Sequence, residues 1–102
     1  MIRIDIGEHT PQQVVLLVQG YPMGLDRELL DEEIRRWLTQ VPHVVLDLKD
    51  VPQLDRQALL WLEQWTTGAP LQTNGTKAKL TLRGGSHFLR HQLRAHGVPA
   101  EE

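Results

Sequence analysis

The sequence contains no cysteine. This absence excludes disulfide bonds, thiolate metal ligands and cysteine nucleophiles, and it fits a reducing compartment. Serine occurs only at Ser86, and no Gly-x-Ser-x-Gly segment surrounds it, so a serine nucleophile on a strained turn is not indicated. We therefore predict that the protein is not an enzyme and carries no cofactor.

Long apolar runs and basic runs are also missing. No apolar segment approaches the roughly 20 residues that a membrane span requires. The first ten residues alternate apolar and charged side chains, without the apolar centre of a secretory signal. The net charge is -2, whereas a nucleic-acid-binding domain usually has a basic face. We expect a cytoplasmic protein that neither inserts into a membrane nor binds nucleic acid.

The apolar pattern predicts one α/β domain. The 102 residues suffice for a single modest core. Strands are predicted at Met1–Ile6, Val14–Gln19, His43–Leu48 and Lys79–Leu82, helices at Leu25–Leu38, Asp55–Thr66 and from the cap Ser86 to Ala95, and connections at Glu8–Pro11, Gly68–Pro70 and Leu71–Gly75. Strands that alternate with helices imply a four-stranded mixed sheet with three helices packed mainly on one face. Residues 1–98 would form the domain, and residues 99–102 a flexible tail.

These segments resemble a STAS domain, the fold of the bacterial anti-sigma factor antagonists. The central feature is an apolar strand with Asp-Leu, followed by apolar-Asp-Ser-x-Gly-Leu in the family. The matching segments are Val14–Gly20, Leu25–Leu38, Val44–Leu48, Leu54–Leu59, Lys79–Leu82 and Leu93–Val98. The resemblance covers nearly the whole chain and implies a protein-binding module of signal transduction.

The chain departs from the family motif where regulation occurs. Arg56 occupies the position of the family's phosphorylatable serine or threonine, and Ala58 occupies the position of its glycine, whereas Asp55 is retained. A helix N-terminus favours phosphate, but arginine brings a fixed positive charge. The resemblance therefore implies the fold without a phosphorylation switch. The counter-charge of Arg56 would be Asp55 or an acidic group of a partner.

The second predicted helix presents a candidate docking surface. At 100° per residue, one side of this helix is the core side, formed by Leu54, Ala58, Leu62 and Trp65. Leu60 points away from the core side, and Trp61 lies near the boundary. An exposed leucine beside a tryptophan and an arginine is typical of an interface hot spot. The docking surface comprises Asp55, Arg56, Gln57, Leu60, Trp61 and Glu63. The alternative is that Asp55 is an ordinary N-cap and Arg56 an ordinary solvated residue.

Three further groups of residues could carry chemistry or solvated charge. Gly84, Gly85 and Ser86, with Arg83, are a possible anion-binding site, although Ser86 as a plain N-cap is the preferred interpretation. His87 and His91 have a spacing that can hold a metal, but no third ligand is indicated, so we predict no metal site. The acidic run 31–33 is expected on a solvated helix face.

We interpret the chain as a non-enzymatic regulatory module without a phosphorylatable residue. By resemblance, its partner is an anti-sigma kinase-like protein or a sensor complex. One alternative is a STAS-like accessory subunit of a membrane transport ATPase, for example in phospholipid transport; another is a binder of small anions or nucleotides. We expect a monomer or a weak homodimer, since an exposed edge strand invites pairing.

Overall fold

A computed structural model describes residues 2–67, 72–73, 76–77, 79–98 and 100. Its strands are β1 (Arg3–His9), β2 (Gln13–Gln19), β3 (His43–Asp50), β4 (Gln72–Thr73), β5 (Thr76–Lys77) and β6 (Lys79–Arg83), and its helices are α1 (Leu25–Leu38), α2 (Arg56–Thr67) and α3 (His87–Ala95). In this part of the chain, no helix is long and apolar enough to span a membrane.

Four strands form the main sheet in the order β1-β2-β3-β6. β1 is antiparallel to β2, whereas β2, β3 and β6 are parallel. The two central strands are those with nearly continuous valine and leucine, as expected for strands covered by neighbours. Leu16 of β2, Leu46 of β3 and Leu82 of β6 lie in register and form one fully buried row.

All three helices pack on one face of this sheet. The crossovers β2-α1-β3 and β3-α2-β6 advance in the same direction along the sheet, and right-handed crossovers of that kind place their helices on the same side. Ile34 of α1, Leu62 of α2 and Leu93 of α3 belong to one buried cluster with the leucine row of the sheet. The predicted fold class, a four-stranded mixed sheet with three helices mainly on one face, is confirmed.

The first strand is longer than predicted. Glu8 and His9, expected in a turn, belong to β1, because the register shifts between Ile6 and Glu8 and leaves Gly7 as a bulge. Beyond the bulge, the ring of His9 meets that of Trp37 edge-on, with 4.8 Å between ring centroids. This contact extends the strand over the end of α1.

The segment between α2 and β6 also differs from the prediction. Within the expected loop Leu71–Gly75, Gln72–Thr73 forms β4, which pairs with β5 in a separate two-stranded sheet. The predicted helix stop at Gly68–Pro70 lies outside the described residues. The same holds for the predicted tail at 99–102, apart from Ala100.

A glycine pair shapes the turn from β6 into α3. Gly84 and Gly85 have φ angles of 74° and 104°, in the region that favours glycine. A Cβ atom on Gly85 would lie 3.0 Å from Cδ2 of the buried Leu89. Gly97 also has a positive φ of 71°, but a Cβ atom there would meet nothing within 4 Å. The two positions therefore separate backbone strain from crowding.

We expect Gly85→Ala to cost more stability than Gly97→Ala. The control substitution should cost about 1–2 kcal/mol for the left-handed backbone alone. Gly85→Ala adds crowding against Leu89, for a total of roughly 2–4 kcal/mol. Urea unfolding of both variants measures the two losses. Equal losses would contradict the close contact with Leu89.

Candidate functional site

The start of α2 is capped by Asp55. Its Oδ1 atom accepts a hydrogen bond from the Ala58 N–H at 2.7 Å, and its backbone oxygen accepts one from the Leu59 N–H at 3.0 Å. This is N-cap geometry, and the negative charge suits the positive end of the helix dipole. The N-cap interpretation of Asp55 is therefore confirmed.

The residue before the cap is held by α3. The Leu54 N–H donates to Oε1 of Gln92 at 3.2 Å, and Nε2 of Gln92 donates to the Leu54 carbonyl oxygen at 3.1 Å. One side-chain amide thus satisfies both backbone groups of Leu54, which is itself buried. Sequence reasoning missed Gln92, because no local pattern pairs residues 38 positions apart.

Arg56 is exposed at the first position of α2. Among the described residues, it forms neither a hydrogen bond nor an ion pair. Asp55 does not supply the expected counter-charge at contact distance, since no ion pair joins the two residues and its Oδ1 is bound to the helix backbone. An acidic group of a partner is the alternative that remains. A positive charge at a helix N-terminus is mildly unfavourable, so an anion placed next to Arg56 would be stabilising.

The other predicted docking residues divide by exposure. Leu60 is 43% exposed and Gln57 is exposed, whereas Trp61 and Glu63 are partly buried. Gln57 Oε1 accepts a hydrogen bond of 3.3 Å from Nη1 of Arg27 on α1. The predicted core side of α2 is buried at Leu54, Ala58 and Leu62 and partly buried at Trp65. The helix therefore faces the core as predicted and turns Leu60 to the outside.

Asp31 of α1 connects that helix to α2. Its Oδ1 accepts hydrogen bonds from Nε1 of Trp61 at 2.9 Å and from Nε1 of Trp65 at 3.0 Å, and its Oδ2 accepts one from Nε of Arg35 at 2.7 Å. The guanidinium carbon of Arg35 lies 5.0 Å from the Trp65 ring centroid. The prediction that the acidic run lies on a solvated face is wrong for Asp31, which is partly buried between the helices. The i,i+4 spacings of Asp31 with Arg35 and of Trp61 with Trp65 were the available signals.

Burial and hydrogen bonding act on the pKa of Asp31 in opposite directions. Partial burial raises the pKa, because it disfavours the charged form. The hydrogen bonds from Arg35, Trp61 and Trp65, together with the charge of Arg35, favour the carboxylate and outweigh burial, so the pKa lies below its ordinary value of 3.8. The carboxylate is thus a stable, charged link between α1 and α2.

A shallow groove runs between the two helices. Its volume is about 400 Å³, and its lining residues are Arg27, Glu28, Asp31, Glu32, Arg35 and Trp61. Trp61 belongs to the predicted docking surface, whereas the five residues of α1 do not. The structure therefore extends the candidate site from α2 onto α1.

The possible anion site at the start of α3 is already engaged. Oγ of Ser86 accepts a hydrogen bond from the Leu89 N–H at 3.0 Å and donates one to the Pro52 carbonyl oxygen at 3.0 Å. Arg83 forms an ion pair with Asp47, with 3.0 Å between Nη2 and Oδ2. The preferred interpretation of Ser86 as an N-cap is confirmed. Because Arg83 faces a carboxylate, the geometry disfavours anion binding here.

The two histidines of α3 are both exposed. In the described part of the chain, no group of three or more histidine, aspartate or glutamate side chains could hold a metal ion.

A comparison with known proteins finds no family model that matches the chain and no curated protein that matches it. The function is therefore argued from the geometry of α1 and α2.

The pKa of Asp31 predicts a pH dependence of stability. A carboxyl group whose pKa is lowered on folding stabilises the protein above its unfolded pKa, and this contribution is lost as the pH falls through the folded pKa. Wild type should thus lose stability below about pH 4. Asp31→Asn should be less stable than wild type near neutral pH, and the difference should shrink as the medium is acidified. Urea unfolding over this range measures the difference, with exposed Glu8→Gln as the control. A constant difference at all pH values would be inconsistent with the lowered pKa.

A second prediction concerns the link between α3 and Leu54. Gln92→Glu keeps the side-chain shape and an acceptor for the Leu54 N–H, but it cannot donate to the Leu54 carbonyl oxygen when ionised. The expected loss of stability is about 1–3 kcal/mol, the cost of an unsatisfied buried polar group. Gln64→Glu, at an exposed position of α2, is the control. Thermal unfolding measures the loss of stability in both variants. Equal losses would show that the hydrogen bond from Gln92 to the Leu54 carbonyl oxygen is dispensable.

Proposed function

We propose that this protein is a cytoplasmic, non-enzymatic regulatory module of the STAS type, which binds a protein partner through α2. The observation that carries the proposal is the docking surface of this helix. Leu60 is 43% exposed there, and Arg56, one turn earlier, is exposed without an ionic partner among the described residues. Arginine and tryptophan are enriched in interface hot spots, and the exposed leucine adds apolar contact area beside them.

The rigidity of this surface supports a binding role. Asp55 caps the helix, Gln92 holds the preceding residue, and Asp31 holds the indole of Trp61. A surface that is ordered before binding loses little conformational entropy when a partner docks. These three interactions thus favour recognition without prior rearrangement.

The charge of Arg56 indicates the chemistry of the partner. A carboxylate placed against this guanidinium would form a charge-assisted hydrogen bond and would neutralise a cation at the positive end of α2. An apolar side chain one turn further along would cover Leu60. The partner is therefore a protein surface with an acidic residue next to an apolar one.

The family resemblance suggests which proteins have this role. Anti-sigma kinase-like proteins and sensor complexes are the partners it implies. The observed sheet with three helices on one face supports the resemblance. Because Arg56 has no hydroxyl group, binding would be constitutive and not released by phosphorylation.

A second candidate is an accessory subunit of a membrane transport ATPase. The fixed charge of Arg56 favours this candidate as well, because such a subunit needs a permanent contact and no switch. The two candidates use the same docking surface. The identity of the bound protein, an ATPase or a kinase-like protein, distinguishes them.

Arg56→Glu combined with Leu60→Asp should abolish partner binding. The pair reverses the charge and places a carboxylate on the apolar contact, and hot-spot substitutions of this kind cost about 2 kcal/mol or more each. The measurement is a tagged pull-down from the native cell with mass spectrometry. We expect a protein that wild type recovers and the double variant loses.

A matched control separates the docking surface from general charge effects. Lys79→Glu with Ile6→Asp makes the same two kinds of change at exposed positions outside α2. This control should recover the partner as wild type does. Recovery of the same partner by the Arg56→Glu/Leu60→Asp variant would show that α2 is not the docking surface.

A further inference from the structure

The two tryptophans of α2 share a hydrogen-bond acceptor at the indole N–H but differ in what lies over the ring. Trp61 and Trp65 lie one turn apart, and both donate their indole N–H to the same oxygen of Asp31. Trp65 also has Arg35 at 5.0 Å from its ring centroid, and that arginine bonds the second oxygen of Asp31. At Trp65, the indole therefore has both a carboxylate at its N–H and a guanidinium over its ring, and these two groups are bonded to each other.

Trp61 has no such cation. Within the part of the chain that the structure describes, no lysine or arginine lies over its ring. Instead, Trp61 lines the groove of about 400 Å³ between α1 and α2, together with the carboxylates of Glu28 and Glu32. The aromatic ring and the acidic groups are in place there, and the two arginines that also line the groove, Arg27 and Arg35, do not stack on the ring.

The charges of the groove favour a cation. Glu28 and Glu32 are four residues apart on α1, a spacing at which like charges repel and destabilise the helix. Both are exposed, and neither forms an ion pair among the described residues, whereas Asp31 and Glu33 pair with Arg35 and Arg36.

In the described part of the chain, the cations of the groove form no ion pair with these two carboxylates. Arg35 is bound to Asp31, and Arg27 donates to Gln57. The lining holds three acidic and two basic side chains, so its formal charge is 2 − 3 = −1. A positive group from outside would remove the repulsion between Glu28 and Glu32.

We propose that this groove binds an arginine side chain of the protein partner, with its guanidinium over Trp61 and bonded to Glu28 and Glu32. Arginine fits better than lysine, because its planar group stacks on an indole and can bridge two carboxylates. The arginine of the partner would lie over Trp61 as Arg35 of this chain lies over Trp65.

This inference rests on the proposed function and names the partner chemistry at the same surface. Along α2, the partner would place an acidic group on Arg56, an apolar group on Leu60 and an arginine in the groove at Trp61. With a rise of 1.5 Å per residue, the span from Arg56 to Trp61 is roughly 7–8 Å. A short helix or extended segment of a partner covers this distance.

The groove can be tested without the partner. The probe is N-acetyl-arginine amide, and its control is N-acetyl-citrulline amide, which has the same shape without the charge. The readout is the three indole N–H signals in an NMR titration, with Trp61 assigned by Trp61→Phe. We expect the arginine probe to shift the Trp61 signal more than the Trp65 signal, and the citrulline probe to have little effect.

Variants show whether Glu28 and Glu32 bind the probe. Glu28→Gln with Glu32→Gln should weaken the arginine response by about 2-fold to 30-fold, the range for two exposed ion pairs. Glu8→Gln with Asp50→Asn, two exposed carboxylates outside the groove, should leave the response unchanged. Equal shifts with citrulline, no shift of Trp61, or an unchanged response of the Glu28→Gln/Glu32→Gln variant would each overturn the inference.

Partner capture distinguishes failure of the groove from failure of the proposed function. We expect the captured partner to bind the Glu28→Gln/Glu32→Gln variant more weakly than wild type. The difference in affinity between the two proteins should shrink at high salt, because salt screens exposed charges. If that variant binds as tightly as wild type while Arg56→Glu/Leu60→Asp does not bind, the groove inference is overturned and the proposed function stands. If arginine binds the groove but no captured protein depends on α2, the proposed function fails and the groove remains a site for arginine.

Discussion

The candidate site depends on the carboxylate of Asp31. A partly buried carboxylate is stable only when donors replace the water that it loses, and Asp31 receives three, from Arg35, Trp61 and Trp65. In return, it sets the distance between α1 and α2 and the orientation of both indoles. The groove is lined by Asp31 and Trp61, so its shape and the position of Trp61 depend on this link.

Asp31 can reach α2 because of the order of the strands. The two crossovers advance in the same direction along the sheet, so α1 and α2 become neighbours on one face. The opposite face carries polar pairs instead, such as the ion pair of Asp47 with Arg83 and the 2.7 Å hydrogen bond between His43 and Thr81. The exposed Leu60 and Arg56 lie on α2, on the helical side of the sheet.

The docking surface combines a fixed scaffold with uncompensated charges. Asp55 bonds the Ala58 N–H, and Gln92 bonds both backbone groups of Leu54, so the start of α2 is held in place. Among the described residues, Arg56, Glu28 and Glu32 form no ion pair, although the neighbouring acidic residues Asp31 and Glu33 of α1 are paired. In the proposed complex, opposite charges on either side of Leu60 would orient the partner and disfavour reversed docking, which gives specificity more than affinity.

The sequence alone predicts the features that depend on neighbouring residues. Its periodicity predicts α1 with its observed bounds, Leu25–Leu38, and its local chemistry predicts the caps at Asp55 and Ser86. Its alternation of strands and helices predicts the fold class, and the angle between positions on a helix predicts that Leu60 faces outward.

The contacts between side chains that are distant in the chain depend on the tertiary fold. The hydrogen bond of Trp61 with Asp31 joins residues 30 apart, that of Leu54 with Gln92 residues 38 apart, and that of Arg83 with Asp47 residues 36 apart. Such pairs carry no local signal, because they form only after the crossovers have placed their helices and strands side by side. For this reason, Asp31 resembled a solvated acid in the sequence and became the link between two helices in the fold.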